Sequence, residues 1–464
     1  MNNAAATIKK IILVAGDFLI LEISLFLSLL IRYRFIGFDT EIWNQHLIPF
    51  SIAYLAWVIL FYINNLYEFR IAINRPAFYQ SIIRAYVEIA VVTISFFYIF
   101  MPATAIAPKT NLFINILVSF GLFYLWRNLF NKTIKSDRLK SNVAIIGINE
   151  ESIDLAKQIV TTPQLGYNLV TFLDENNHEE YSNILNLKIE IHNDLNNLKN
   201  IIKQKKIETL IISSDIHKLN NLQKILLGCI PLKVALVDLP AFYENVTGKI
   251  PLQAINQMWF LENISTHKKA FYDFSKRILD FILASILLVP SIIITPFIAT
   301  AIKFDSQGPI LFKQKRTGRN GKSFLAMKFR SMRIDAEKNG PKWTEKNDPR
   351  VTHIGKFLRK SRFDEIPQLI NIIRGEMSFI GPRPERPEFI EQLEQEIPFY
   401  RQRLLVKPGL SGWAQIEGPS YGGSKKETLE KLQYDLYYIK NYSLLLDLGI
   451  ILKTINTVLR FKGQ

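Results

Sequence analysis

Four long apolar blocks open the chain, at residues 8–31, 47–67, 82–101 and 112–130. Each reaches about 20 residues, enough to cross a bilayer as a helix. The first is too long, and too soon followed by others, to be a cleaved signal peptide. Beyond residue 141 the period changes. Short apolar runs at 142–148, 169–173, 209–213 and 234–238 alternate with helix-period stretches at 151–160, 195–203 and 222–229, the pattern of a doubly wound parallel sheet. Residues 281–302 then carry no charge, and short helices and turns fill the rest. The pattern predicts three regions: a membrane α-helical bundle of four spans at 1–141, an α/β Rossmann-like domain at 142–265, and a mixed, mainly α domain at 266–464 with a membrane helix of its own.

Lysine and arginine placement orients these segments, because cytoplasmic flanks collect positive charge. With the N-terminus inside, Lys9, Lys10, Arg70, Arg75, Arg127, Lys132, Lys135, Arg138 and Lys140 fall on the inner side, against Arg32, Arg34 and Lys109 outside. Both ends of the bundle are expected in the cytoplasm. Around 281–302, Lys276 and Arg277 precede the apolar run, and Lys303, Lys313, Lys315, Arg316 and Arg319 follow it. Both flanks favour the same side, and either Pro290 or Pro296 can break a helix. A re-entrant helix–break–helix over 278–303, hinged at Pro290, reconciles charge with hydropathy; a plain fifth span is the alternative. Asp17 and Glu22 lie inside the first block. An intramembrane acid is a functional candidate, unless it pairs within the bundle, for instance with Arg84.

Composition agrees with a membrane protein: 48% of residues are hydrophobic, high for a soluble chain. The net charge of +16 points to phosphate ligands or anionic lipid. Nucleic acid is the competing partner and is not expected, since zinc-finger spacing, RNP-type aromatics and a suitable basic helix are lacking. A single cysteine, Cys229, rules out an internal disulfide, and six scattered histidines give no zinc site. The turn after the first strand of the α/β domain, 147–152, lacks the further glycines that a dinucleotide fingerprint needs, and Glu150 and Glu151 stand in their place. A Rossmann-like fold without NAD is expected, with Asp174 a strand-end residue rather than a ribose ligand.

The chemistry concentrates at 358–384. Asp364 and Glu365 are adjacent and precede Pro367, which suits a first helical position; Gly375 suits the left-handed cap. Both acids then sit at the positive end of a helix dipole. Adjacent side chains do not face each other, so separate roles are expected. Arg359, Lys360, Arg362, Arg374 and Arg383 crowd the same stretch. Acids among fixed guanidinium groups suit a phosphorylated substrate and a hard cation.

Here the chain resembles the bacterial sugar transferase family, the monotopic phosphoglycosyl transferases. The matching words are Gln314-Lys315-Arg316-Thr317-Gly318, Lys328-Phe329-Arg330-Ser331-Met332, Asp348-Pro349-Arg350-Val351-Thr352, Leu358-Arg359, Asp364-Glu365-Ile366-Pro367-Gln368-Leu369 and Gly375-Glu376-Met377-Ser378. Gly381-Pro382-Arg383-Pro384 and Lys407-Pro408-Gly409-Leu410-Ser411-Gly412-Trp413-Ala414-Gln415 complete the set. The order is the family's, over roughly 270–464.

The resemblance implies transfer of a sugar 1-phosphate from a UDP-sugar to undecaprenyl phosphate, with UMP released, at the cytoplasmic face of a bacterial inner membrane. It implies Asp364 as nucleophile forming an aspartyl phosphosugar, Glu365 as the Mg²⁺ ligand, and Arg359 near the phosphates. Arg383, between Pro382 and Pro384, would hold the nucleotide, with Lys328, Arg330 and Arg316 as further phosphate contacts. The family's hairpin bends at a Ser-Pro pair, which here is Val289-Pro290, so a hydroxyl-to-backbone bond at the bend is in question. Arg362-Phe363 replaces the usual small hydroxyl residue plus leucine, and the Arg362 charge is expected to favour ionised Asp364. The resemblance implies that the Rossmann-like domain is an accessory common in the family's larger members, serving either oligomerisation, for instance as a homodimer, or regulation. After the site, 385–403 reads as a solvated helical face, 418–424 as a flexible loop, and 444–459 as either an interfacial or a core helix. Two other classes are weighed against this reading: a membrane-anchored nucleotide-sugar dehydratase, which the missing glycines disfavour, and a non-enzymatic regulator of polysaccharide assembly, which would need no Asp-Glu pair.

Overall fold

The structure is a computed structural model. It describes residues 4–35, 37–68, 76–100, 108–134, 140–174, 189–213, 220–264, 270–336, 338, 340, 348–419 and 424–459. Of the residues weighed above, Arg70, Arg75, Lys135, Arg138 and 420–423 lie outside that set. The chain divides into two compact units, Met1–Thr247 and Gly248–Gln464.

The first unit opens with helices α1 (Ala4–Tyr33), α2 (Thr40–Ile63), α3 (Pro76–Phe100) and α4 (Pro108–Ile134). Their inward faces bury Leu21, Leu25, Phe50, Trp57, Phe61 and Phe123 completely, while Leu19, Leu55, Val87, Leu117 and Leu125 stay exposed. A helix apolar on every side belongs in lipid. Five helices among the described residues are long and apolar enough to cross a membrane: these four and Ala270–Asp305.

Asp17 pairs with Arg127 at 2.6 Å, both fully buried, and Trp126 Nε1 donates to its other oxygen. The partner is therefore Arg127 rather than Arg84, because α1 packs along α4. Arg127 is consequently no flanking charge and drops out of the orientation count. Glu22 accepts a hydrogen bond from Ser51 Oγ.

The same unit contains a five-stranded parallel sheet in the order β3-β2-β1-β4-β5. Its strands are β1 (Ser141–Ile146), β2 (Tyr167–Leu173), β3 (Glu190–His192), β4 (Thr209–Ile212) and β5 (Ala235–Asp238). This is the Rossmann-like arrangement; β3 is a three-residue edge strand with no sequence signal of its own. At the carboxyl end of β1, Gly147 turns with φ 93 and the Ile148 amide donates to Asp174 Oδ2. Asn149 caps the following helix and also bonds Ser213. The amide that would greet a pyrophosphate thus already holds a carboxylate.

The second unit begins at Gly248, not at residue 266. Ile250, Leu252, Ile255 and Phe260 pack in one core with Ile390, Leu393, Leu432 and Leu436, which draws 248–264 away from the parallel sheet. Helix Ala270–Asp305 continues through Pro290 and Pro296, so the expected break is absent from the backbone. Ser291 Oγ bonds Leu287 O at 2.7 Å and Thr295 Oγ1 bonds Ser291 O. Such hydroxyl back-bonds bend helices without ending them, and Ser291 supplies, on the other side of the proline, the hydroxyl missing at 289. Antiparallel β6 (Leu311–Thr317) and β7 (Ser323–Phe329), and parallel β8 (Ser378–Ile380) and β9 (Gly409–Ser411), complete the frame. The helix Leu444–Leu459 is mixed: Asp447, Ile450 and Lys453 are buried, Leu445 and Leu448 exposed.

Candidate functional site

Helix His353–Ser361 leads into the site. It lies so close to β7's exit that a Cβ on Gly355 would stand 2.0 Å from Ser331 O. That contact brings Arg359 Nε onto Ser331 Oγ. Arg362 ends the helix in the left-handed region at φ 61, an uncommon and mildly strained state for a non-glycine residue. The chain then makes a 3-10 turn, Phe363–Glu365, followed by helix Gln368–Arg374, which Pro367 precedes and Gly375 closes at φ 81.

The long helix and β7 hold this element in place. Arg277 donates to the Ile372 and Ile373 carbonyls. Asn371, fully buried, accepts from the Met327 amide and donates to Leu325 O and Glu376. Asp280 accepts from Ser378 Oγ and the Phe379 amide. In sequence Arg277 stands out only as a flanking charge, and Asn371 and Asp280 not at all, because a lone polar residue in or beside an apolar run carries no spacing signal.

Asp364 and Glu365 are both buried. Glu365 Oε1 takes three cations: Arg383 Nη2 at 2.8 Å, Lys328 Nζ at 3.2 Å and Arg362 Nη1 at 3.6 Å. Burial opposes the charge of Glu365, but the three cations outweigh it and hold the carboxyl well below the usual range. Asp364 differs. Burial and the Glu365 charge push its carboxyl up against the pull of Lys328, Arg359 and Arg383, and its Oδ1 is buried without a hydrogen-bond partner. Arg362 spends its charge on Glu365, so the expected favouring of ionised Asp364 is corrected: the left-handed turn aims the guanidinium at the neighbour. Burial lowers Lys328 and Arg359 in turn, whereas Glu365 raises Arg383.

The remaining candidates separate. Pro382, Arg383 and Pro384 form an extended segment against β9, and Arg316 Nη1 donates to Pro384 O, so Arg316 braces the segment. Arg330 points elsewhere: its Nη2 bonds Ser306 O and Ser306 Oγ, closing the carboxyl end of the long helix instead of facing the acids. Arg403, in the stretch expected to form a solvated face, is instead buried against Asp435, because the helix ends at Glu396 and the chain turns inward.

Beside Glu365 lies a cavity of about 300 Å³. Its walls are mostly apolar: Leu287, Pro290, Ile294, Phe363, Ile366 and Leu410 line it, together with the charged Arg362 and Glu365. Pro290, expected as a membrane hinge, thus faces the acid-bearing turn.

The profile described as bacterial sugar transferase matches residues 271–461, and one described as CoA-binding domain matches 63–237. The chain is 41% identical over 237 residues to a UDP-N-acetylgalactosamine-undecaprenyl-phosphate N-acetylgalactosaminephosphotransferase of Aeromonas hydrophila, covering 49% of this chain and 54% of that one. It is 32% identical over 336 residues to the UDP-glucose:undecaprenyl-phosphate glucose-1-phosphate transferase of Xanthomonas campestris pv. campestris, covering 69% and 66%. Over 204 residues it is 41% identical to the exopolysaccharide production protein PSS of Rhizobium leguminosarum bv. phaseoli, covering 42% of this chain and 97% of the relative. The match spans between half and two thirds of the first two relatives' own length.

Proposed function

Because the chain belongs to the bacterial sugar transferase family, we propose that it transfers a sugar 1-phosphate from a UDP-sugar to undecaprenyl phosphate, releasing UMP and starting lipid-linked exopolysaccharide, capsule or O-antigen assembly. The relatives named for UDP-sugars and undecaprenyl phosphate support both substrates. One observation carries the reading for this chain: Glu365, ringed by Arg383, Lys328 and Arg362 and next in sequence to the buried Asp364, lines an apolar cavity along a membrane helix. A polar phosphate and an apolar chain need both surfaces at once.

Asp364 is the nucleophile. Its unpartnered Oδ1 bonds to the β-phosphorus while the bond from that phosphorus to the bridging oxygen breaks, and the electron pair leaves with UMP. An oxygen of undecaprenyl phosphate then bonds to the same phosphorus and displaces the carboxylate, splitting one transfer between two anions into two steps. Arg359, Lys328 and Arg383 stabilise the phosphoryl oxygens. Mg²⁺ binds through one or two carboxylates plus substrate phosphates, and the residues fit: all three cations contact Glu365 at Oε1, which leaves Oε2 for a metal. Glu365 would hold the ion, which when bound neutralises diphosphate charge.

The four N-terminal helices are transmembrane, with the second unit at the cytoplasmic face. Helix Ala270–Asp305 is re-entrant and bends at Pro290. Its 36 residues would run about 54 Å if straight. Yet Lys276 and Arg277 at one end bond Asp447 and Ile372 O, and Asp305 at the other accepts the Ile354 amide, all in the second unit. Both ends thus contact one body, which supports the re-entrant reading. In the Rossmann-like domain Leu227, Ile230 and Leu236 are exposed near edge strand β5, which suits a second copy of the chain. The test is direct: solubilised protein, Mg²⁺, undecaprenyl phosphate and a panel of UDP-sugars, followed by UMP release. Release that needs the lipid and one sugar supports the reading; release by Asp364→Asn at the wild-type rate contradicts it.

A further inference from the structure

The segment carrying Arg383 is held with unusual completeness. Four consecutive carbonyls each have their own donor. Pro382 O takes the Gly409 amide at 2.9 Å and Glu385 O the Thr317 amide at 2.9 Å. Pro384 O takes Arg316 Nη1 at 3.0 Å, and Arg383 O takes Arg403 Nη2 at 3.1 Å. Two of these donors belong to backbone and cannot be mutated away. Of the two side chains, Arg403 is the deeper, 8% exposed, and it makes more bonds than a simple brace requires.

Arg403 Nη2 also donates to Asp435 Oδ2 at 2.8 Å, while Nη1 donates to Tyr400 OH. Asp435 is 2% exposed and lies on helix Lys425–Asn441. A buried pair of this kind is seldom a source of net stability, since desolvation offsets its attraction. Its strength is geometric: a planar guanidinium fixed at two nitrogens holds a third acceptor at a set distance and angle. That acceptor is the backbone of the one residue whose side chain reaches Glu365 at 2.8 Å.

We propose that Arg403 is a positioning residue for donor binding: oriented by Asp435 and Tyr400, it fixes the Arg383 backbone so that the Arg383 guanidinium meets the donor's phosphates. This rests on the transferase reading above. Lysine at 403 would keep the charge but cannot serve three acceptors in one plane.

The experiment is a double-mutant cycle read by UMP release and by calorimetric binding of UDP. Arg403→Lys is expected to lower kcat/KM by roughly 10- to 100-fold, since a displacement near 1 Å can cost that much. The loss should fall mainly on donor KM. In an Arg383→Ala background the same change should cost less than about threefold, because its target is gone. Asp435→Asn, which keeps shape and an acceptor oxygen but leaves the buried Arg403 charge uncompensated, should lower the melting temperature. Well below that temperature it should still weaken UDP binding in the same direction as Arg403→Lys, with a smaller effect. Equal losses from Arg403→Lys in both backgrounds, or losses that vanish when each variant is assayed well below its melting temperature, would overturn the positioning role and leave Arg403 a packing residue. Wild-type protein that binds UDP yet releases no UMP counts against the transferase reading alone, since the calorimetric cycle still reads Arg403.

Discussion

Two buried acids in this chain have opposite company. Asp17, inside the membrane bundle, is complete: Arg127 takes one oxygen, Trp126 the other. Arg127 in turn donates to Leu66 O and lies over the Tyr67 and Phe123 rings. Asp364, in the second unit, is incomplete. It has three cations close enough to act on it electrostatically but no donor on Oδ1, while its neighbour Glu365 absorbs the direct contacts. Burying a charge is costly unless it is paired and hydrogen-bonded. A fold that meets that requirement at Asp17 and leaves it open at Asp364 suits the first to assembly and the second to the nucleophile role proposed for it. In sequence the two differ: Asp17 lies in an apolar run, and Asp364 stands beside Glu365 among basic residues.

Mutations at the two acids should therefore fail in different ways. The largest effect is expected from Asp364→Asn, which keeps shape and fold but should lower turnover by on the order of 10⁴-fold or more, as loss of a nucleophile does; thermal melting in detergent should stay near wild type. Asp17→Ala reverses the pattern. It leaves Arg127 charged and alone in the bundle, at a cost of about 3–5 kcal/mol, so the yield of folded protein should collapse while the surviving protein keeps its turnover per molecule. Equal turnover loss in both variants would erase the distinction.

A finer cut uses pH. The proposed mechanism uses Asp364 ionised, and burial together with Glu365 raises its carboxyl while Lys328 lowers it. Removing Lys328 therefore raises it further, and the acid limb of kcat/KM in Lys328→Gln should move to higher pH. A limb that stays in place would detach Lys328 from Asp364. The smallest effect is expected at Arg330→Gln. That change removes the bonds to Ser306, at about 1–3 kcal/mol of stability, and should leave donor KM within roughly twofold, since Arg330 does not face the acids.

Much of this was legible in the chain, for identifiable reasons. Long apolar blocks and alternating short runs report membrane helices and a parallel sheet directly, because period and burial are the same fact. Gly375 announced its left-handed cap because few other residues accept it. The acid pair and its arginines were legible as words of adjacent residues. What escaped were pairings across sequence: Arg127 with Asp17, Arg403 with Asp435, Asp280 with Ser378. Each depends on which faces meet after packing, and a single sequence holds no record of that. The boundary at Gly248 escaped for the same reason, since an apolar 250–260 can pack on either neighbour. Arg330 misled because it sits two residues from Lys328 and so shares its strand face, yet the strand ends at Phe329 and the chain turns the guanidinium toward Ser306.

The central claim is that the unpartnered oxygen of Asp364 takes the phosphosugar. Intact-protein mass spectrometry after incubation with the accepted UDP-sugar and Mg²⁺, without lipid, tests it most directly. The account predicts a mass gain of one sugar phosphate on the wild type, none on Asp364→Asn, and its disappearance when undecaprenyl phosphate is added. Lipid-dependent UMP release with no adduct at any time, or an adduct that persists in Asp364→Asn, would contradict it.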